Sequence, residues 1–272
     1  MQNRLQPQKV KSNMFLEKIV AKKKFDLSQI KLRFQNIDTL DNQTSRKSDN
    51  SCFLNMFRAG KNKISLIAEI KFSSPTNPTL GSHADFLGRV IQYESAGADA
   101  ISIITEKHFF KGDISSVSQI KKEVSLPILQ KDFVIDPIQI YEAKNTGSDA
   151  LLLIARLVSS LELKNFVSLC FSLGIEPVVE INSEEDLEKA VDSGTNIIAV
   201  NARDLETFTI DLNKACLLIQ KIPEHFIKLG FSGINSENEV LQYKKAGAKG
   251  VLVGTSLMMT NNIKNFIKSL QL

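Results

Sequence analysis

The chain has 272 residues, 43% of them hydrophobic and 24% charged, which is ordinary globular usage and enough for one large core or two modest ones. Its formal charge of +4, from 34 basic and 30 acidic side chains, is too slight and too evenly spread for a nucleic-acid footprint but suits a small anionic ligand. The start, MQNRLQPQKV, is polar, and no run approaches the roughly 18 apolar residues of a membrane span, so no membrane partner is expected.

Cys52, Cys170 and Cys216 are odd in number, widely spaced and without histidines at ligand spacing. That pattern argues against a disulfide framework or a zinc site and points to a reducing, cytoplasmic setting.

The first 60 or so residues form an N-terminal extension, in which MFLEKIVAKKKFDLSQIKLRF has the apolar spacing of an amphipathic helix. A polar connector, NIDTLDNQTSRKSDNS, follows it. The Lys22 to Lys24 run is expected to be a solvated helix face.

Beyond the extension a repeat takes over. Helical stretches end in a small residue plus glycine and run straight into an apolar strand at 96–105, 146–155, 193–202 and 246–255. The glycines are Gly97, Gly147, Gly194 and Gly247, spaced 50, 47 and 53 residues apart, a period that fits two βα units. Each is expected to stop a helix in the left-handed conformation.

Four further apolar runs, at 64–72, 126–133, 175–181 and 226–233, alternate with these and bring the count to eight strands. Between them Asp136-Pro137 opens one helix, and Ser183 with Glu184, Glu185 and Asp186 opens another. Eight near-continuous apolar strands alternating with helices over about 200 residues predict an α/β fold, a (β/α)8 TIM barrel forming a single domain with residues 1–60 as its helical extension. The absence of a G-x-G-x-x-G after the first strand argues against a doubly wound sheet.

Charged and polar residues recur at the C-terminal ends of these strands: Glu69 and Lys71 on the first, Lys131 and Asp132 on the third, Glu180 on the fifth, Asn201 and Arg203 on the sixth. Unpaired buried charge is costly, and this is the end of a barrel that carries active sites, so a cluster equipped for acid–base work is expected there. After strands seven and eight, GFSG and VGTS offer free backbone N–H groups and hydroxyls, and Ser232, Gly233, Gly254 and Thr255 are candidates for holding phosphate. His83, His108 and His225 lack metal spacing and are expected in surface or capping roles, and no metal site is expected. Phe109 and Phe110 are candidates for walling an aromatic substrate or for core packing.

Taken in order, IAEIKFSSP, ISIITEKHFFKG, PILQKDFVIDPIQIYEAKNTGSDALLLIARL, VVEINSEEDLEKA, VNARDLETFTID and LVGTSLM resemble the motifs of the indole-3-glycerol phosphate synthases of tryptophan biosynthesis. FLEKIVAKK resembles that family's extra N-terminal helix, which borders the active site. The resemblance implies a carboxy-lyase converting 1-(2-carboxyphenylamino)-1-deoxyribulose 5-phosphate to indole-3-glycerol phosphate with loss of carbon dioxide and water and without a cofactor.

By the same resemblance Lys131 is the general acid, and Lys71 holds the anthranilate carboxylate and is a candidate acid for the later dehydration. Glu69 and Glu180 move protons, and Asn201 positions the substrate. Ser74, Phe133 and Arg203 surround the substrate, and Ser232, Gly233, Gly254 and Thr255 bind its phosphate. The enzyme is expected in the cytoplasm as a monomer or weak oligomer, with a phosphorylated small molecule as partner.

The chain departs from the family pattern at Phe231, where Glu is usual, at Ala202, where Asn is usual, and at Asn77, where many relatives carry Lys. These departures define an alternative: a paralogous phosphate-binding barrel with altered specificity or a binding-only role.

Overall fold

The eight apolar runs form eight strands, each shorter than its run because the flanking residues serve turns. The computed structural model describes residues 14–34, 51–58, 63–81 and 83–271. The strands are β1 (Ser65–Ile70), β2 (Ala100–Ile104), β3 (Ile128–Lys131) and β4 (Ala150–Ile154). They continue with β5 (Glu176–Ile181), β6 (Ile197–Asn201), β7 (Ile227–Phe231) and β8 (Gly250–Val253). All pair in parallel with their neighbours in sequence, and β8 closes onto β1, giving a complete (β/α)8 barrel.

Helices α1 (Met14–Phe34) and α2 (Cys52–Arg58) precede the barrel. Around it run α3 (Phe86–Ala96), α4 (Ser115–Glu123), α5 (Ile138–Thr146), α6 (Ser160–Ser172), α7 (Glu184–Asp192), α8 (Leu212–Lys221) and α9 (Glu237–Ala246). A short α10 (Thr255–Met259) and α11 (Ile263–Leu270) follow β8. The helix stops fall where the sequence puts them, since Gly97, Gly147, Gly194 and Gly247 all hold φ between +81° and +105°. Ser183 caps α7 by accepting the Asp186 backbone N–H at 3.1 Å, as its run of acidic neighbours suggests.

Strict alternation sorts the strand side chains into two cores. Leu66, Ile101, Ile103, Leu151, Val179, Ile198 and Val251 face the helices, while Ile67, Leu129, Leu152, Val178, Ala199, Leu229, Phe231 and Leu252 fill the barrel. In this register Ile67, Glu69 and Lys71 share the inner face of one strand line, as do Leu129, Lys131 and Phe133 of another. The inner face therefore changes from apolar to charged at the C-terminal end, which creates the site.

The other end is sealed by α2, a seven-residue helix within the N-terminal extension. Its Phe53 and Leu54 are fully buried in the inner core, and Phe57 lies against Gly250 at the start of β8. Its Cys52 thiol donates to Asp149, just before β4, at 3.4 Å. Burying two such side chains contributes about 1.5–3 kcal/mol each and closes the barrel floor to water. The polar connector between α1 and α2 lies outside the described residues.

Helix α1 spans the segment expected of it and lies over the opposite, C-terminal rim. Its first free N–H groups, at Phe15 and Leu16, donate to the Glu206 carboxylate of the β6–α8 loop at 3.1 and 3.3 Å, a cap supplied from 190 residues away. The solvated-face expectation for Lys22 to Lys24 holds for the two outer residues only. Lys23 is buried in an ion pair with Asp132, at the end of β3, because the helix face that carries it turns toward the barrel.

Candidate active site

Glu69 is the hub of the C-terminal end. Its carboxylate is buried and accepts from Lys71 Nζ through Oε1 and from Lys131 Nζ through Oε2, each at 3.2 Å. Burial alone pushes this carboxyl up, but the ammonium groups of Lys131 and Lys71 outweigh it and hold it below the ordinary glutamate range. Lys71 also donates to Thr255 Oγ1 at 3.1 Å, which ties the charged cluster to the loop after β8.

Gly254 makes that arrangement possible. A Cβ at this position would run into the Glu69 carboxylate, so only glycine lets the β8 backbone pass behind it. Gly254→Ala is accordingly expected to push Glu69 off its two lysines and lower kcat at least tenfold with the barrel still folded. Steady-state kinetics beside a thermal melt will check this, and a variant with unchanged kcat sinks the argument.

Glu180, on β5, behaves oppositely to Glu69. Burial raises its carboxyl above the ordinary value, with Lys131 and the Asn201 hydrogen bond opposing in part. Asn201 Nδ2 donates to Glu180 Oε1 at 3.1 Å, whereas Glu180 Oε2 is buried without a hydrogen-bond partner. An orphaned buried carboxylate oxygen is costly unless an incoming group satisfies it. Asn201 is itself held firmly, accepting from the Arg203 N–H at 3.0 Å through Oδ1, while its carbonyl accepts from Asn182 at 2.6 Å.

Loops after β7 and β8 supply the rest of the rim. Ser232 and Gly233 both take left-handed backbone, at φ +68° and +76°, and turn the chain after β7. Ser256 Oγ donates to Ile234 O at 2.7 Å and so fastens the β8 loop to the β7 loop.

All twelve residues singled out by the sequence, Glu69, Lys71, Ser74, Lys131, Phe133, Glu180, Asn201, Arg203, Ser232, Gly233, Gly254 and Thr255, line one cavity of about 200 Å³. Phe110 joins them, whereas Phe109 packs edge-on against Phe15 of α1 at 5.3 Å. Both rings are placed by the buried Glu106 carboxylate, which accepts the backbone N–H groups of His108, Phe109 and Phe110 at 2.7–3.0 Å. The β6–α8 loop adds an apolar wall, Leu205, Phe208 and Ile210, to this cavity. Their apolar character was visible in ARDLETFTID, but nothing local said that the loop folds back over the barrel.

The three histidines stand outside this cavity. His108 Nε2 meets Asp26 of α1 at 2.9 Å, His83 stacks on Phe72, and His225 lies against Phe226. Among the described residues no group of His, Cys, Asp and Glu is arranged to hold a metal.

The departures from the family pattern also fall outside the lining. Ala202 faces the helix layer, and Asn77 closes a turn in which Ser74 and Asn77 exchange backbone hydrogen bonds at 2.8 and 3.0 Å. Phe231 is fully buried beneath the cavity, so its ring does not obstruct it.

A wider cavity of about 750 Å³ lies beside α1, lined by Lys23, Asp26, Thr105, Lys107, Gln130 and Asp132 among others. Within it Lys23 pairs with Asp132, and Asp26 with Lys107 and His108. The smaller cavity holds the unsatisfied chemistry.

A closed parallel barrel with a buried carboxylate–lysine cluster at its C-terminal mouth, lining one cavity with the turns after β7 and β8, has the architecture of a TIM-barrel enzyme. The family model described as indole-3-glycerol phosphate synthase matches residues 16–270. Relatives bearing that name include one from Caldanaerobacter subterraneus, 38% identical over 95% of this chain and 99% of its own. Another, from Acetivibrio thermocellus, is 37% identical over 94% and 98% of the two chains. The chain belongs to the indole-3-glycerol phosphate synthase family. A solved structure described as native KDPGal shares the fold, with a TM-score of 0.56 over 77% of this chain and 94% of that one at 14% identity.

Proposed function

We propose that the chain converts 1-(2-carboxyphenylamino)-1-deoxyribulose 5-phosphate to indole-3-glycerol phosphate, with Lys131 as the general acid of ring closure. Its family makes it a decarboxylating lyase of tryptophan biosynthesis. The observation that carries the residue assignment is the Lys71–Glu69–Lys131 chain facing the same cavity as the β7 and β8 turns.

The charges suit the substrate, since the Lys71 and Arg203 cations face a molecule bearing a carboxylate and a phosphate. In ring closure the aromatic carbon attacks the substrate carbonyl carbon while Lys131 delivers a proton to the carbonyl oxygen, forming the new C–C bond. Loss of carbon dioxide returns an electron pair to the ring. The hydroxyl then leaves as water, which requires one proton delivered and one removed.

Lys71 binds the carboxylate and is placed for the delivery, and Glu180 takes the proton away. Asn201 keeps the Glu180 carboxyl oriented. Ser74, Phe133 and Arg203 flank the substrate, and Ser232, Gly233, Gly254 and Thr255 receive the phosphate. Protons alone balance this sequence of steps, and no oxidant or cofactor enters it.

A base must be ionised to act. Because burial raises the Glu180 carboxyl, turnover is expected to fall as the pH drops through a value above the ordinary glutamate pKa of about 4.3. Glu180→Gln is expected to lower kcat about 100-fold and to abolish that acid limb in the residual activity. A limb that survives the substitution assigns the titration to another group.

We infer a cytoplasmic enzyme, a monomer or weak oligomer without a nucleic-acid or membrane partner. This reading is supported by free thiols at all three cysteines, and no helix among the described residues is long and apolar enough to cross a membrane. Incubating the purified chain with the carboxyphenylamino-deoxyribulose phosphate and following indole fluorescence tests the activity. Tight binding of the phosphate ester without product overturns it in favour of a binding-only barrel.

A further inference from the structure

The Lys131 ammonium is held from two directions. Glu69 accepts one of its protons at 3.2 Å, and from within the barrel the ring of Phe231 presents its face to Nζ, with the ring centre 5.0 Å away. The ring is fully buried, paired across β6 and β7 with Asn201, and packed among the inner-core side chains. Its strand end is fixed as well, since Tyr243 Oη donates to the carbonyls of Phe231 and Ser232 at 3.0 Å each.

We propose that Phe231 is a positioning residue that holds the Lys131 ammonium at the cavity floor through a cation–π contact. The proposal rests on the reading of Lys131 as the proton donor. A ring face attracts an ammonium ion by its quadrupole but takes no proton from it, and the attraction grows when the pair is withdrawn from water. Lys131 has three N–H donors, and Glu69 engages one of them. A second carboxylate below would take another; the ring instead fixes the head group and leaves the remaining protons for the substrate. Glu180 also feels the Lys131 charge, and Lys71, Asp132 and Arg203 are the other charged side chains lining this cavity.

Fluorinated phenylalanines at position 231 test this, because fluorine drains the ring face of negative potential while barely changing its size. Across the mono-, di- and trifluoro series kcat is expected to fall stepwise, by about threefold to 30-fold in total, with KM and the melting temperature near those of the unmodified enzyme. Phe231→Leu, which keeps an apolar side chain but no ring, is expected at the bottom of that range, and Phe231→Tyr near the top. A purely structural role does not respond to ring electronics. A flat fluorination series in an enzyme that Lys131→Met abolishes overturns the positioning role alone. A Lys131→Met enzyme that still turns over overturns the assignment of Lys131 as the acid, and the role of Phe231 with it.

Discussion

Lys131→Met is expected to lower kcat by about 100-fold to 10,000-fold while leaving KM within a few-fold of the parent value. The reason lies in what the side chain does and does not touch. Its ammonium has one carboxylate partner, Glu69, and a ring beneath it, and its remaining donors face the cavity. Substrate binding draws on other groups, namely the turns after β7 and β8 and the Lys71 and Arg203 cations, so the ground state loses little when Lys131 goes. The transition state loses its proton donor.

An effect on kcat without one on KM marks an interaction made only in the transition state, which is what a general acid makes. Methionine fills most of the space over Phe231, and Glu69 keeps Lys71 at 3.2 Å, so the variant should melt close to the parent. Indole fluorescence under steady-state conditions measures the loss. Near-normal turnover in this variant removes Lys131 from the chemistry.

The fold was legible because the signal was repeated and local. Every second βα unit carries a helix-stopping glycine and each carries its own apolar run, so an error in one unit would not have changed the count. The site was legible for a related reason. Charge inside an apolar run is visible without any knowledge of the partner, and period-two alternation tells which neighbours share its face: Glu69 with Lys71, Lys131 with Phe133.

What stayed hidden depended on contacts across long stretches of chain. Lys23 looks like its neighbours Lys22 and Lys24 until Asp132, more than 100 residues later, is known to meet it. Helix α2 has seven residues, too few to show a period, and its plugging role follows from a barrel floor that exists only after closure. The Glu206 cap of α1 bridges 191 positions and leaves no local mark at either end. Phe231 was legible as a departure, but its consequence depended on depth. One residue past Gly230 on an inward-facing position, it falls just below the cavity rather than in it.

The other large effect is expected at Glu69, and it should appear in stability as well as in rate. Glu69→Gln keeps the shape of the side chain but removes the negative charge that both lysines face. Among the described residues no other carboxylate lies within ion-pair distance of Lys71 or Lys131, so two ammonium groups would be left side by side in a largely dry site. Breaking a buried pair by removing one partner costs about 3–5 kcal/mol, because the surviving charge is uncompensated. The rate should fall too, by about 100-fold, since the hydrogen bond that aims Lys131 is lost or reversed.

The pH dependence has a definite sign. The lysines hold the Glu69 carboxyl below its unfolded value, so its contribution to stability is fully present above the ordinary glutamate pKa of about 4.3 and is lost as the pH falls through the lower, folded value. The gap in unfolding free energy between parent and variant should therefore be widest at neutral pH and narrow in acid. Urea titrations at pH 7 and at successive values below 4 measure it. Equal midpoints at pH 7 would mean that the two lysines find their compensation elsewhere and that Glu69 is not the hub that holds them.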